Sequence, residues 1–430
     1  MQMHAHKHFK AILIALIIMV GGFGLAYAAP NTPVTIHAML WRDSPTGPVG
    51  RAMTLAVDSF NQANAGVYKV VPQWISPGET TAQLAAAVKS GAPDVIMGSY
   101  QELMALNSQG ALASLTPALT QDQFWQARFP QGALQPFTIN GNTIAVPAAL
   151  QVGILYIDTA DFSTALIPSP HTLGDLIVDI QDLQQRGITP MVFSNAHGTL
   201  EGLMVQQIAV REAGQGVFNS ILNGKARWTN AGMLESTKIL DQLIASNAFP
   251  GSSTSLSSAQ ALAEFENGKA AMLYSEDPAL LSHFESIDSP LRGRVNVLPF
   301  PILRNNNNPG TQAWVGTPEL NLAVSQSSKV KDAAIAFVKC LTAPSVQASF
   351  ARMGFLPVST DTLGLHASMP LVSDIRQATR FMPSMEIAYT DVLTPARQKA
   401  YESAVRQIFA GRDPQAVLAD LDAETASAAG

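Results

Sequence analysis

Between residues 34 and 97 two kinds of hydrophobic pattern take turns. Val34 to Leu40 is an apolar, β-rich run that ends at Trp41-Arg42-Asp43 before a Pro/Gly turn, which predicts a first strand emptying into a loop with chemically useful side chains. A helix is expected from Gly50 to Asn61 and a second strand from Val67 to Trp74. Ser76-Pro77-Gly78-Glu79 then opens a helix in which Leu84 and Val88 share a face, closed by Gly91 and Pro93 in the order usual for helix C-termini. Asp94 to Met97 has the length and residue types of a buried parallel strand. Such alternation of strand and helix predicts an α/β fold with helices covering the sheet.

Later segments keep the mixture. Helices are predicted over Thr172–Arg186, Gly202–Ala213 and Asn230–Ser246, with Ser252–Ser258 as a short loop. Ser328 is placed to cap a helix carrying Val330, Ala334, Phe337, Val338 and Leu341 on one face, with Pro344 marking its end. Tyr401, Val405, Ile408 and Phe409 form another stripe stopped by Gly411, and Asp413-Pro414 has the cap-then-proline order that starts a last helix.

The N-terminus breaks this pattern. Lys7 and Lys10 precede an unbroken apolar stretch, Ala11 to Val20, followed by Gly21, Gly22, Gly24 and the triplet Ala26-Tyr27-Ala28, the layout of a secretory signal peptide over residues 1–28. The apolar part is short for a membrane span. Its removal takes away two lysines and no acid, leaving 24 basic against 32 acidic side chains. A net negative, exported chain is the expectation, which argues against a binder of nucleic acid. Only 13% of the 430 residues are charged, about half the usual share, and a chain this long predicts two lobes.

Signatures of catalysis are missing. The chain has no nucleophile elbow, HExxH helix, Walker A loop or GxGxxG fingerprint. One cysteine, Cys340, excludes an internal disulfide, and the histidines beyond the leader (His37, His171, His197, His283 and His366) are too scattered to argue for a metal. No catalytic residue, metal or cofactor is therefore assigned. Ser328 and Lys331 have Ser-x-x-Lys spacing without its partner motifs, and Glu276-Asp277 reads better as a binding loop than as an acid/base pair.

Several motifs occur in an order similar to the family 1 extracellular solute-binding proteins of bacterial ABC importers, the group that includes maltose-binding protein. They are the helix Ala56–Asn64; Leu84 with Lys89-Ser90-Gly91-Ala92-Pro93-Asp94-Val95; Gly110-Ala111-Leu112 before Leu115-Thr116; Asn140-Gly141-Asn142 before Ile144–Pro147; Phe265-Glu266-Asn267-Gly268-Lys269-Ala270-Ala271-Met272; Val297–Pro301; Asp332-Ala333-Ala334 with Phe337; and Gln347 through Gly354 to Pro357. Ala145 stands where the family usually has an aromatic residue.

The resemblance implies a two-lobed periplasmic binding protein fold: mixed sheets flanked by helices, hinge-linked, with an interlobe ligand cleft. It implies an N-terminal lobe of 29–146 plus 303–350 and a C-terminal lobe of 147–302 plus 351–430, with crossings near Val146–Gly153, Leu298–Ile302 and Phe350–Pro357. It further implies a monomeric receptor that closes on a small solute, a sugar or oligosaccharide, and delivers it to the membrane permease subunits of an ABC importer. A polyamine or glycerol-phosphate receptor of the same fold and a secreted glycan hydrolase are the alternatives. A sugar needs flat aromatic platforms and forked polar groups. The platform candidates are Trp41, Tyr100, Tyr274 and Trp314. Polar candidates are Arg42, Asp43, Gln101, Asn195, His197, Ser275, Glu276 and Asp277, together with Gln151, at the crossover position where maltose-binding protein has a ligand-contacting acid.

Overall fold

The computed structural model describes residues 32–76, 80–91, 93–163, 172–193, 199–249, 256–299, 312–361 and 368–427, with the single positions 170 and 365. The leader, the Ser252–Ser258 loop up to residue 255, and the site candidates Asn195 and His197 lie outside the described residues. The strands are β1 (Val34–Trp41), β2 (Tyr68–Ile75), β3 (Val95–Gly98), β4 (Thr138–Ile139), β5 (Asn142–Thr143), β6 (Ala149–Val152), β7 (Ile154–Asp158), β8 (Thr189–Phe193), β9 (Ala270–Ser275), β10 (Val295–Pro299), β11 (Trp314–Glu319), β12 (Asn321–Val324), β13 (Leu356–Pro357) and β14 (Met385–Ile387). The fold is two-lobed α/β, with mixed sheets flanked by helices.

One sheet has the order β12-β3-β1-β2, with β1 parallel to both β2 and β3 and β12 antiparallel at the edge. A second runs β10-β7-β9-β8 with only the β8–β9 pair parallel. β3 and β7 are buried along their whole length, as expected for strands covered on both faces. The motif Pro93-Asp94-Val95 owes its acid to a clasp: the Asp94 carboxylate accepts from His37 N–H at 2.9 Å and from the Ser328 hydroxyl at 2.6 Å. Ser328 is not the cap residue of the helix Lys331–Leu341, whose cap position is Val330; its hydroxyl donates to Asp94 and accepts from Val330 N–H at 3.1 Å just before the helix. Among the described residues no single helix is long and apolar enough to cross a membrane.

A third sheet, β13-β6-β11-β14, joins the other two through the chain itself. β6 runs on through Gly153 into β7 of the second sheet, and β11 runs on through Leu320 into β12 of the first. Both junctions are tight. A Cβ on Gly153 would lie 2.4 Å from the Tyr274 hydroxyl, and Leu320 holds φ +50, a conformation costly for a bulky side chain. The turn is held by Ala148 N–H, which donates to the Glu319 and Leu320 carbonyls, and by the Asn321 amide, which donates to Gly98 O at 3.1 Å and Pro318 O at 2.9 Å.

In the centre of this sheet Gly316 faces Val152, and a Cβ there would stand 2.4 Å from the Gln151 carbonyl oxygen. The obstacle is backbone, so Gly316→Ala must part β6 from β11. We expect a loss of about 1–3 kcal/mol, read as a lower urea midpoint at unchanged slope; an unchanged midpoint would show that the two strands can separate freely.

Candidate functional site

Four strand ends deliver the candidate side chains. At the end of β1, Trp41 is half-buried and its indole Nε1 is buried with no hydrogen-bond partner among the described residues. Arg42 lays its guanidinium 5.3 Å from the centroid of Trp74. Asp43 accepts from the N–H groups of Ser44 and Gly50, both at 2.8 Å. Burial pushes the Asp43 carboxyl up, but these and the Val49 N–H outweigh it and hold it below its usual range. Asp43 is thus committed to shaping its own loop. Among the described residues no hydrogen bond or ion pair joins Arg42 or Asp43 to the acidic centre described below.

At the end of β3, Ser99 and Glu102 form a reciprocal capping box that starts the helix Tyr100–Ser108. This sets Tyr100 in the first turn, tilted against Phe137 at 5.7 Å. Burial, then Asp391 and Glu386, push its phenol up. Gln101 is exposed and donates to the Asp391 carbonyl at 2.8 Å.

At the end of β9, Ser275, Glu276 and Asp277 make a tight turn in which Ser275 Oγ accepts from Asp277 N–H and Asp277 caps Ala279 N–H at 2.9 Å. These three line a cavity of ≈ 400 Å³ together with Gln151 of β6, Tyr274 and Thr199. Tyr274 itself is only 1% exposed and packs in the core, and Trp314 is 6% exposed at the start of β11. Neither ring is an open platform. Trp314 belongs to the third sheet and Tyr274 stands against it at Gly153, where close packing claims large side chains.

The far half of β11 carries residues that the sequence reading did not single out. Thr317 pairs across the sheet with Gln151, and its hydroxyl donates to the Asp391 carboxylate at 2.6 Å. Glu319, half-buried, ends the strand. Burial, then Glu276, Asp391 and Asp277, push Glu319 up to about 7. Burial, then Asp391 and Asp277, do the same to Glu276, also to about 7. Asp391 is raised by burial, opposed by the Thr317 hydroxyl. Glu276 and Glu319 therefore both sense the carboxyls of Asp391 and Asp277, Glu319 senses Glu276 as well, and the influences on the two include no cation.

Among the described residues no group of three or more His, Cys, Asp or Glu side chains could hold a metal ion. The acids are near enough to repel. What they can do is accept: from ligand hydroxyls, from water or from an ammonium group, beside the neutral donors Gln151, Thr317, Tyr100 and Gln101. The site so assembled unites Tyr100, Gln101, Gln151, Ser275, Glu276 and Asp277 with Thr317, Glu319 and Asp391. One signal could have pointed to Glu319, the only charged residue between Arg304 and Lys329.

A family model described as bacterial extracellular solute-binding protein matches residues 56–368. The chain belongs to that family. The match takes in the second sheet, the β6–β11 pair and the strands β2, β3 and β12 of the first sheet, and with them Gln151, Glu276, Asp277 and Glu319, whereas β1 and Asp391 lie outside it. No curated protein matches the sequence. Among solved structures, the chain is similar to the bacterial solute receptor AcbH, with TM-score 0.76, 14% identity and coverage of 93% of this chain and 99% of that one. A family 1 extracellular solute-binding protein from Bifidobacterium longum subsp. infantis gives TM-score 0.72, 16% identity and coverage of 92% and 99%. Maltose-bound MalE3 from T. maritima gives 0.62, 19% identity and coverage of 91% and 98%. At such identities the likeness of this solute-binding protein to those structures concerns the fold.

Proposed function

We propose that this solute-binding protein is the exported receptor subunit of an ABC importer, that residues 1–28 are a cleaved leader, and that it captures a sugar or oligosaccharide between lobes of 29–146 plus 303–350 and 147–302 plus 351–430 without chemically changing it. The carrying observation is the convergence of amide, hydroxyl and partly protonated carboxyl groups from β6, β9 and β11 and the helix Tyr100–Ser108 beside one cavity. Vicinal hydroxyls both donate and accept, and a wall mixing Gln151 and Thr317 with Glu276 and Glu319 answers both needs. AcbH is described as having an exclusive preference for β-D-galactopyranose and MalE3 as maltose-bound, which supports a saccharide for this fold. Lobe closure would follow from ligand contacts made to both sides at once.

One observation favours a second reading. Glu276 and Glu319 are perturbed by burial and other carboxyls alone, so an amine-bearing solute, such as a polyamine, would supply the missing positive charge. Calorimetric titration with neutral saccharides and with polyamines, on wild type and Glu319→Gln, separates the two. A neutral sugar should bind, be recovered intact and lose about ten-fold in affinity in the variant. A polyamine bound instead, losing about a hundred-fold or more, would replace the first reading by the second. Cleavage of the sugar would overturn both.

A further inference from the structure

A second cavity, of ≈ 460 Å³, lies where the loop at 223–230, the helix Pro395–Phe409 and the helix Pro414–Ser427 meet. Its size is that of small-molecule sites. The floor is apolar and fixed. Trp228, 3% exposed, stacks on Tyr401 at 5.1 Å and meets Phe218 edge-on at 5.6 Å, and Ile221 and Leu393 complete the wall.

The polar lining is unbalanced. Arg227 is exposed and Arg397 half-buried, and among the described residues neither guanidinium has a hydrogen-bond or ion-pair partner. The one acid in the lining, Asp422, is already used: it accepts from Trp228 N–H at 2.7 Å, Thr229 N–H at 3.2 Å and the Thr229 hydroxyl at 2.7 Å. Two free forks against one satisfied carboxylate leave net positive charge beside an aromatic floor. Arginine forks match a carboxylate bidentately, and an apolar body would cover the Trp228 side.

We propose that this cavity is a second ligand site, separate from the acidic cleft, for a small monoanion in which a carboxylate is joined to an aromatic or bulky apolar body. The two sites have opposite charge. Leu393 lines this one, whereas Asp391, two residues earlier, belongs to the carboxylate cluster, so an anion suited here is repelled there.

The test uses the full-length exported chain and three isosteric probes, 1-naphthoate, 1-naphthalenemethanol and 1-naphthylmethylamine, titrated by calorimetry and by tryptophan fluorescence. Naphthoate should bind saturably, one per chain, at least about ten-fold more tightly than the alcohol, with the amine weakest. Arg397→Gln and Arg227→Gln should each weaken naphthoate, Ala423→Glu should abolish its binding by adding an acid to the exposed rim, and Glu276→Gln should leave it unchanged. Equal affinity for acid and alcohol would overturn the site. So would naphthoate binding that survives Ala423→Glu and both arginine variants, or that responds to Glu276→Gln. Because Arg227 and Ala423 are exposed, those variants test the site without disturbing the core.

Discussion

Replacing Arg376 by alanine should cost this protein about 3–5 kcal/mol of stability. Arg376 is 2% exposed. Its Nε donates to Ser359 O at 3.1 Å, its Nη2 to Val358 O and Ser359 O at 2.8 Å, and its Nη1 to the Thr379 hydroxyl at 2.7 Å. Two carbonyls and one hydroxyl, all neutral, solvate the charge, and burial pulls its pKa down to about 9. The chain it holds matters. Ser359 N–H in turn donates to Gln347, whose amide donates to Ala148 O at the entry of β6. Arg376 thus ties the helix Pro370–Arg380 to the third sheet. Alanine orphans two buried carbonyls and opens a void. Methionine fills the void but still orphans them, so it should fall between wild type and alanine; lysine keeps the charge but cannot span three acceptors. Urea denaturation of the three variants gives the ranking. An alanine variant within about 1 kcal/mol of wild type would show that Arg376 fills space without organising the segment.

Nothing near Arg376 announces this role in the sequence, and the reason extends to much of the site. The first sheet was legible because β1 and β3 are apolar runs bounded by turn residues, and because the Gly91, Pro93 and Asp94 motif marks a local event, a helix ending and a strand beginning. The third sheet is different. Its strands run from two to six residues and come from four distant parts of the chain, too short to show a period of two. Trp314 looks like a platform in sequence and is core in the fold, because the strand that carries it is central. Glu319 and Asp391 meet Glu276 only through that sheet, so their meeting has no local trace. Leu320, at φ +50 without a glycine, is equally silent. Ser275-Glu276-Asp277 was legible as a loop after an apolar strand, but not as one side of an acidic centre.

The fold gathers acids at the candidate site, and the consequence is a stability that depends on pH. Glu276 and Glu319 have folded pKa values of about 7 against an ordinary 4.5. Between those values the native chain holds more protons than the unfolded one, so stability falls as pH rises through this window. The stabilising contribution is complete below about 4.5 and lost above about 7. Each pKa unit corresponds to about 1.4 kcal/mol, so the cluster is worth a few kcal/mol in order of magnitude. Glu319→Gln removes one buried charge that stands against Glu276, Asp391 and Asp277. Ligand-free Glu319→Gln should therefore unfold at a higher temperature than wild type at pH 8, with the gain shrinking towards pH 5. The double variant with Glu276→Gln should gain less than the two singles combined, because Glu276 is part of what raises Glu319. Thermal unfolding at pH 5, 6, 7 and 8 measures this. A gain equal at every pH, or a variant less stable at pH 8, would mean that the carboxyls are solvated or paired rather than repelling. The same linkage reaches binding. A cationic solute that drew both acids into their charged forms would release protons on capture, while a neutral sugar accepted by half-protonated carboxyls would release few, so the buffer dependence of the binding enthalpy near neutral pH reads out which solute the cleft is built to hold.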